Sequence, residues 1–437
     1  MVEEYFHLDA KQTTIRTEVV AGVTTFLTMA YIIFVNPAIL SAAGMDKQAL
    51  VVVTCIASAI TTAAMGLIGN APIAMAPGMG LNAFLAYSLV KAGQITWETA
   101  LGVVFLSGLL GFVLTLLGLR KRLVEAIPVS LVAAIAVGIG LFITFIGLVN
   151  MGVIVKNEAT LVSAGPMTAT VTIGLAGLLT MAFLEIRRIK GALLIGIAFS
   201  TLLAVIFGYV EKPASMVSFN FDIRPVAFRL DILGAFQWGL FGSVFTLMFM
   251  DMFDGVGTLV ACCHEAGMVD ERGKIKSLGR LLAIDTAASM VGAVLGTSNV
   301  TAYIESGAGI QQGGRTGLTA LVTALCFVLA LLFVPLVGIV PPYATAPALV
   351  MVGLFMMKEI RRIDFGNLEE AMPSFIILVM IALSYSISKG LAFGFISFVL
   401  IKLAAGKVRD IKPTMWVIAV LSLLFVTMDR LRAVLNF

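Results

Sequence analysis

Acidic side chains set in apolar surroundings are the first chemistry this chain offers. Glu305 lies within residues 296–317, GTSNVTAYIESGAGIQQGGRTG, close between two apolar runs. A charge at mid-bilayer costs about 2.5–3.5 kcal/mol even on the lenient insertion scale. Glycine-rich backbone survives at that depth only where protein or a water-filled cavity covers it. The stretch therefore reads as a broken membrane-crossing element whose Glu305 faces a ligand. A cytoplasmic loop is the plainer reading, and the apolar runs on both sides speak against it. In FTLMFMDMFDGVGTLV, Asp251, Asp254 and Thr258 are spaced to share one helical face. That face would line a cavity; the plainer reading has one Asp capping a broken helix. Asp285, in LLAIDTAASMVG, is placed to support the site by accepting hydrogen bonds. A carboxylate held out of water favours its protonated form. Asp251, Asp254, Asp285 and Glu305 are thus candidate proton carriers, with Asp254 and Glu305 foremost and the choice between them open.

What must position these groups is a set of membrane spans. The chain has 437 residues, 60% hydrophobic and 12% charged, with mean hydropathy +1.05. An average soluble chain is about 25% charged, so this is a polytopic membrane protein. A net charge of +4 points to no nucleic-acid partner. His7 and His264 are the two histidines, and Cys55, Cys262, Cys263 and Cys326 form no CxxC pair. No metal or cofactor is indicated. The mixed polar N-terminus up to Glu18 carries no cleavable signal pattern.

A helix needs about 20 apolar residues to cross ~30 Å of hydrocarbon. Apolar stretches fall near 18–40, 49–68, 71–90, 99–118, 127–149, 168–184 and 191–209, then, past polar 210–235, near 236–262, 279–296, 298–317, 318–339, 343–357, 373–388, 390–405 and 413–430. We take these as 14 spans, with Lys389 and Gly390 separating two of the last or breaking one. With a cytoplasmic N-terminus, Lys11, Arg16, Arg120, Lys121, Arg122, Arg187, Arg188, Lys190, Arg272, Lys274, Lys276, Arg280, Lys358, Arg361 and Arg362 face inward, against Lys47, Lys91, Lys156, Lys212, Arg224 and Arg229 outward. That excess of inward basic residues sets the orientation. Seven spans on each side of the polar connector put the second set upside down, the mark of an inverted repeat. Residues 18–209 form the first repeat, 210–235 an extracytoplasmic connector and 236–437 the second repeat. Gly/Pro-interrupted segments recur in both, APGMG at 76–80 and ESGAG at 305–309, which points to a midplane site. Such interruptions expose backbone donors and acceptors and suit a small, flat, hydrogen-bonding solute. Thr24, Thr28 and Tyr31 follow helical spacing in the first span, although hydroxyls there often bond back to their own helix. Asn82 needs partners in hydrocarbon and is read either as a site residue or as a staple between helices. His264 reads as surface.

Four motifs, AGVTTFLTMAYIIFVNPAIL, APGMGLNAF, FMDMFDGVGTL and TSNVTAYIESGAGIQQGGRTGLTA, resemble those of AzgA-like purine permeases in the nucleobase–ascorbate transporter superfamily. The resemblance runs over nearly the whole chain. It implies an all-α polytopic membrane protein of 14 transmembrane segments in two inverted sevens, with short strands in the broken third and tenth spans meeting at the substrate. It implies a core domain (18–118 plus 236–339) and a gate domain (127–209 plus 343–437), with a homodimer through the gate. It further implies proton-coupled uptake of adenine, guanine or hypoxanthine across the cell membrane. By motif, Glu305 matches the substrate-binding glutamate, Asp254 the acidic residue of the eighth span and Asn82 the polar residue after the third-span strand. Thr28, Ala76, Tyr303 and Ile304 are placed beside the base. Thr258 stands where the uracil branch carries a histidine, which favours purines. An anion transporter of the sulfate or bicarbonate type on the same fold is the alternative, since fold does not fix function. A membrane enzyme finds no catalytic motif here, and a channel finds no filter of repeated carbonyl rings.

Overall fold

The computed structural model of the chain describes residues 2–118, 127–211, 215–219, 221–237, 240–269, 275 and 277–435. Arg120, Lys121, Arg122, Lys212, Arg272, Lys274 and Lys276, counted above for orientation, lie outside the described residues. The first span is two helices, α1 (Ile15–Met29) and α2 (Ile32–Leu40), followed by α3 (Lys47–Leu67). The third span is broken: strand β1 (Met75–Pro77) leads into α4 (Met79–Ala83) and a π-helical stretch, Phe84–Ala92. Then come α5 (Trp97–Leu116), α6 (Val129–Met151), the hairpin β2 (Ile154–Asn157) and β3 (Leu161–Ala164), α7 (Ala169–Ile186) and α8 (Ala192–Ile206). The second half opens with α9 (Phe241–Glu265) and α10 (Leu278–Leu295), then β4 (Val300–Ala302), α11 (Ser306–Gln311) and α12 (Gly317–Ala330). Helices α13 (Pro342–Met356), α14 (Leu368–Ser384), α15 (Ile387–Ala404) and α16 (Pro413–Leu435) complete it. Among the described residues, ten helices are long and apolar enough to cross a membrane, and two shorter apolar helices span Ala192–Ile206 and Pro413–Thr427.

Three boundaries differ from the sequence reading. The stretch 298–317 is broken as expected, into β4, α11 and a turn, but the following span begins at Gly317 rather than past it. The break near residue 389 falls earlier. Tyr385 takes φ 53°, and the Ser386 side chain accepts from Lys389 N at 3.3 Å, capping α15. Gly390 lies inside α15, where a Cβ would sit 2.3 Å from Ile381 Cγ1; it permits close packing of α15 on α14. The segment after α6, expected as loop, folds as the β2–β3 hairpin, Ile154 pairing Ala164 and Asn157 pairing Leu161.

Packing gathers the elements into two groups. Helix α3 lies against α12 and α10, α1 against α12 and α11, and α5 against α10 and α9. Helix α6 lies against α13 and α14, α7 against α8 and α13, and α15 against α14 and α16. One end of the molecule carries the starts of α1, α10 and α12 and the ends of α3, α9 and α11. There Arg280 Nη1 donates to Ile68 O at 3.2 Å. The opposite end carries the ends of α2 and α6 and the start of α13, and Lys47 Nζ donates to Val340 O at 2.9 Å.

Candidate functional site

Strands of three residues have little stability of their own. β1 and β4 survive by pairing with each other and by borrowing side chains. They run antiparallel, Met75 opposite Ala302, Ala76 opposite Thr301 and Pro77 opposite Val300. Gly78 N donates to Asn299 O at 3.0 Å and Tyr303 N to Ala74 O at 2.9 Å, extending the pairing at both ends. Thr62 of α3 brackets Met75, donating to its carbonyl at 3.0 Å and accepting from its N–H at 2.9 Å. Asp285 of α10 holds the other strand: its Oδ1 accepts from Thr301 Oγ1 at 3.0 Å and from Ala302 N at 3.2 Å. Buried backbone groups in a membrane must all find partners, and these satisfy the broken spans.

The chain leaves β4 through Tyr303, Ile304 and Glu305 and turns into α11. Tyr303 is buried, and its hydroxyl donates to Pro77 O at 2.6 Å, closing the pair from the side. Ile304 is 56% exposed, an apolar surface at the end of a buried strand. The half-buried Glu305 is held from α1 and α2: Tyr31 Oη donates to Glu305 Oε1 at 2.5 Å. Thr28 Oγ1 reaches Glu305 O at 3.4 Å but also donates to Thr25 O at 2.8 Å. Thr24 bonds back to Val20 O at 2.8 Å. Tyr31 sits at the break between α1 and α2, so its hydroxyl can leave the helical path and meet the carboxylate.

Helix α9 supplies the second acid. Asp254 is exposed, and exposed positions recur down that helix at Gly257, Ala261 and His264, with half-buried Thr258 beside them. Helix α9 packs on α11, and beside α11 Ile304 before it, Gln311 at its end and Gln312 after it are also exposed. Gln311 Nε2 donates to Glu265 Oε1 at 2.8 Å and ties the two helices at their shared end. Exposed or half-buried positions thus extend from Glu305, Ile304 and Asp254 toward the end bearing His264. Asp254 is near enough to Asp285 and to Glu305 for the charge of each to act on it.

Other sequence candidates lie elsewhere. Asp251 does not share the accessible face. It is 3% exposed and accepts from Ser289 Oγ of α10 at 3.0 Å. Ala76 is wholly buried inside the strand pair. Asn82 is wholly buried as well. Its Nδ2 donates to Asn36 Oδ1 at 2.6 Å and its Oδ1 accepts from Ser298. Asn36 in turn donates to Thr54 at 2.7 Å and Thr297 at 3.0 Å, so Asn82 staples the two broken spans. Arg315 spends its guanidinium on Ile310 O at 2.6 Å and Gly314 O at 2.9 Å.

Glu18 was read only as the edge of the first span, and it does more. It is fully buried in α1 and accepts from Arg315 N at 2.9 Å, Thr316 N at 3.3 Å, Thr319 N at 3.1 Å and Thr319 Oγ1 at 2.6 Å. A carboxylate from one helix thereby caps the N-terminus of another, where the helix dipole favours negative charge. The glycines of the motif answer to the same tight assembly. A Cβ on Gly309 would lie 2.1 Å from Thr25 Oγ1 and 2.5 Å from Ala21 O, so only glycine lets α11 press onto α1.

The model of a permease family, Xan_ur_permease, matches residues 16–393. The chain is 44% identical to the adenine permease AdeP of Escherichia coli, over 97% of this chain and 95% of that one. It is 41% identical to the guanine/hypoxanthine permease PbuO of Bacillus subtilis, over 95% and 98%. Among solved structures, the transmembrane domain of a cyanobacterium bicarbonate transporter, BicA, superposes with TM-score 0.62 at 17% identity, covering 87% of this chain and 97% of that one. At that identity the likeness concerns the fold alone.

Proposed function

The chain belongs to the permease family, in its AzgA-like purine branch, and from that premise we propose that it imports purine nucleobases across the cell membrane by proton symport. The observation that carries the proposal is the carboxylate of Glu305, held by Tyr31 beside the two broken spans, with exposed Asp254 near it on α9; the path of the substrate is taken to run along the exposed positions of that helix. Purines present ring N–H donors and acceptors along one edge. Glu305 accepts from the N–H groups, Ile304 offers an apolar face, and Asp254 or Glu305 carries the coupled proton. Coupling requires proton and purine to favour the same conformation, by typically 1–3 kcal/mol; loss of the proton inside then weakens the hold on the base. Adenine, guanine and hypoxanthine, which the relatives' names carry, are the candidate cargoes.

In this reading the N-terminus and the end bearing His264 are cytoplasmic, so the path opens inward. Helices α1–α5 with α9–α12 form the core that carries the site, and α6–α8 with α13–α16 form the gate through which two copies pair. The fourteen spans are taken as two inverted sevens, within residues 18–209 and 236–437. An anion transporter on the same fold fits the site less well. Two carboxylates border the path, and Arg315 is engaged with backbone carbonyls. The test is uptake by Glu305→Gln and Asp254→Asn. Loss of concentrative purine uptake in either is expected; normal, pH-driven uptake in both would overturn the assignment.

A further inference from the structure

A cavity of about 590 Å³ opens at the end of the molecule opposite His264. Small-molecule sites typically measure ~300–1,000 Å³. Its walls come from both packing groups: Ser41 and Ala42 past the end of α2, Tyr87 and Lys91 on the π-helical stretch, Asn150 near the end of α6, and Tyr385 at the bend between α14 and α15. Tyr385 is locked in place. Its ring lies 5.4 Å from Phe142 and 5.3 Å from Phe145, centroid to centroid, and 6.5 Å from Tyr87. Its carbonyl accepts from Ser88 Oγ at 3.0 Å. A non-glycine residue at φ 53° is uncommon and persists only where packing enforces it.

The chemistry of this cavity differs from that around Glu305. Among the described residues, no carboxylate lines it. Lys91 Nζ sits 5.2 Å from the centre of the Tyr87 ring, and the Asn150 amide lies beside the Tyr87 hydroxyl. The walls therefore offer hydrogen-bond donors and aromatic faces. Aromatic rings favour offset stacking on a flat partner. A lone ammonium set against a ring offers an oxyanion a single point charge and no bidentate grip. A neutral, planar heterocycle with ring-nitrogen or carbonyl acceptors matches both features.

We infer that this cavity is a separate outer binding site for a purine-type nucleobase, which stacks on the tyrosine rings and accepts hydrogen bonds from Lys91 and Asn150 before reaching Glu305. The inference rests on the purine reading above. In that orientation the cavity faces the outside.

Ala42→Cys places a thiol on the cavity wall, while the native Cys55, Cys262 and Cys263 are buried and Cys326 is half-buried. Its labelling by a membrane-impermeant maleimide is followed on intact cells with and without hypoxanthine, alone and combined with Glu305→Gln, against the unsubstituted chain as background. We expect hypoxanthine to protect the introduced thiol in both backgrounds. Adding Asn150→Ala should raise the half-protecting concentration about tenfold, the worth of one hydrogen bond. Protection that vanishes with Glu305→Gln would mean that the central site acts on the cavity at a distance, and the inference would be wrong. Equal protection by sulfate, or none from a base the Ala42→Cys chain still transports, would also overturn it. Absence of purine uptake by the unsubstituted chain would sink the transport reading itself, and this inference with it.

Discussion

Glu18→Gln is the substitution whose cost can be worked most closely from the structure. It keeps the side chain's size but exchanges one acceptor oxygen and the negative charge for an amide NH₂. Oε1 now accepts from Arg315 N, and Oε2 from Thr316 N, Thr319 N and Thr319 Oγ1. The less damaging orientation keeps the oxygen at the Oε2 place and turns the NH₂ toward the Arg315 N–H. One charge-assisted bond is lost, at about 1.5–3 kcal/mol, and a buried N–H is stranded, at about 1–3 kcal/mol. Removing the anion from the α12 N-terminus adds about 0.5 kcal/mol. The sum is about 5 kcal/mol. With an unfolding entropy of ~2.1 cal/mol/K per residue over 437 residues, the thermal midpoint should fall by about 5 °C. The assay is thermal unfolding of the purified permease in detergent, with Glu18→Ala as the more severe companion. A Glu18→Gln midpoint within about 1 °C of the unsubstituted protein would show that the carboxylate is not the cap described.

Other substitutions probe the site's supports. Tyr31→Phe removes the hydroxyl bonded to Glu305, and loss of one charge-assisted bond should raise the KM for purine uptake about tenfold at unchanged expression. Asp285→Asn can keep an oxygen toward Thr301 and Ala302, so it should cost about 1 kcal/mol; Asp285→Ala strands the Ala302 N–H and should cut both folded yield and uptake. Gly309→Ala drives a Cβ into Thr25 Oγ1 and the Ala21 carbonyl, so uptake should be lost. Adding Thr25→Ala should fail to restore it, because the backbone clash remains.

That Glu305 and Asp254 would lie near one another was legible, because both interrupt apolar segments at places where the sequence breaks or opens a span. The broken spans were legible from Pro77, Gly78 and the 305–309 glycines for the same reason. Spacing alone misjudged Asp251. Its place on the helix leaves it between two faces, and only the position of α10, with Ser289, decides which face it joins. Asn82 turned out to staple helices because Asn36 and Ser298 come from distant segments that no local pattern connects. Tyr31 was noted for its helical spacing, yet its bond to Glu305 depends on a helix break that no glycine or proline announces. Glu18 lies in the first turn of α1, where an acid reads as the edge of a span rather than as the cap of a helix three hundred residues later. The β2–β3 hairpin carries no turn signature strong enough to separate it from loop.

The central claim is that a carboxylate-bearing site between two broken spans couples purine uptake to protons. The most direct test is accumulation of labelled hypoxanthine, guanine, adenine and uracil in cells lacking their own purine permeases, with and without a protonophore. The account predicts that one or more purines accumulate, that uracil does not, and that accumulation collapses when the proton gradient is dissipated. Accumulation of sulfate or another anion with no purine uptake would contradict it, and so would purine accumulation indifferent to the protonophore.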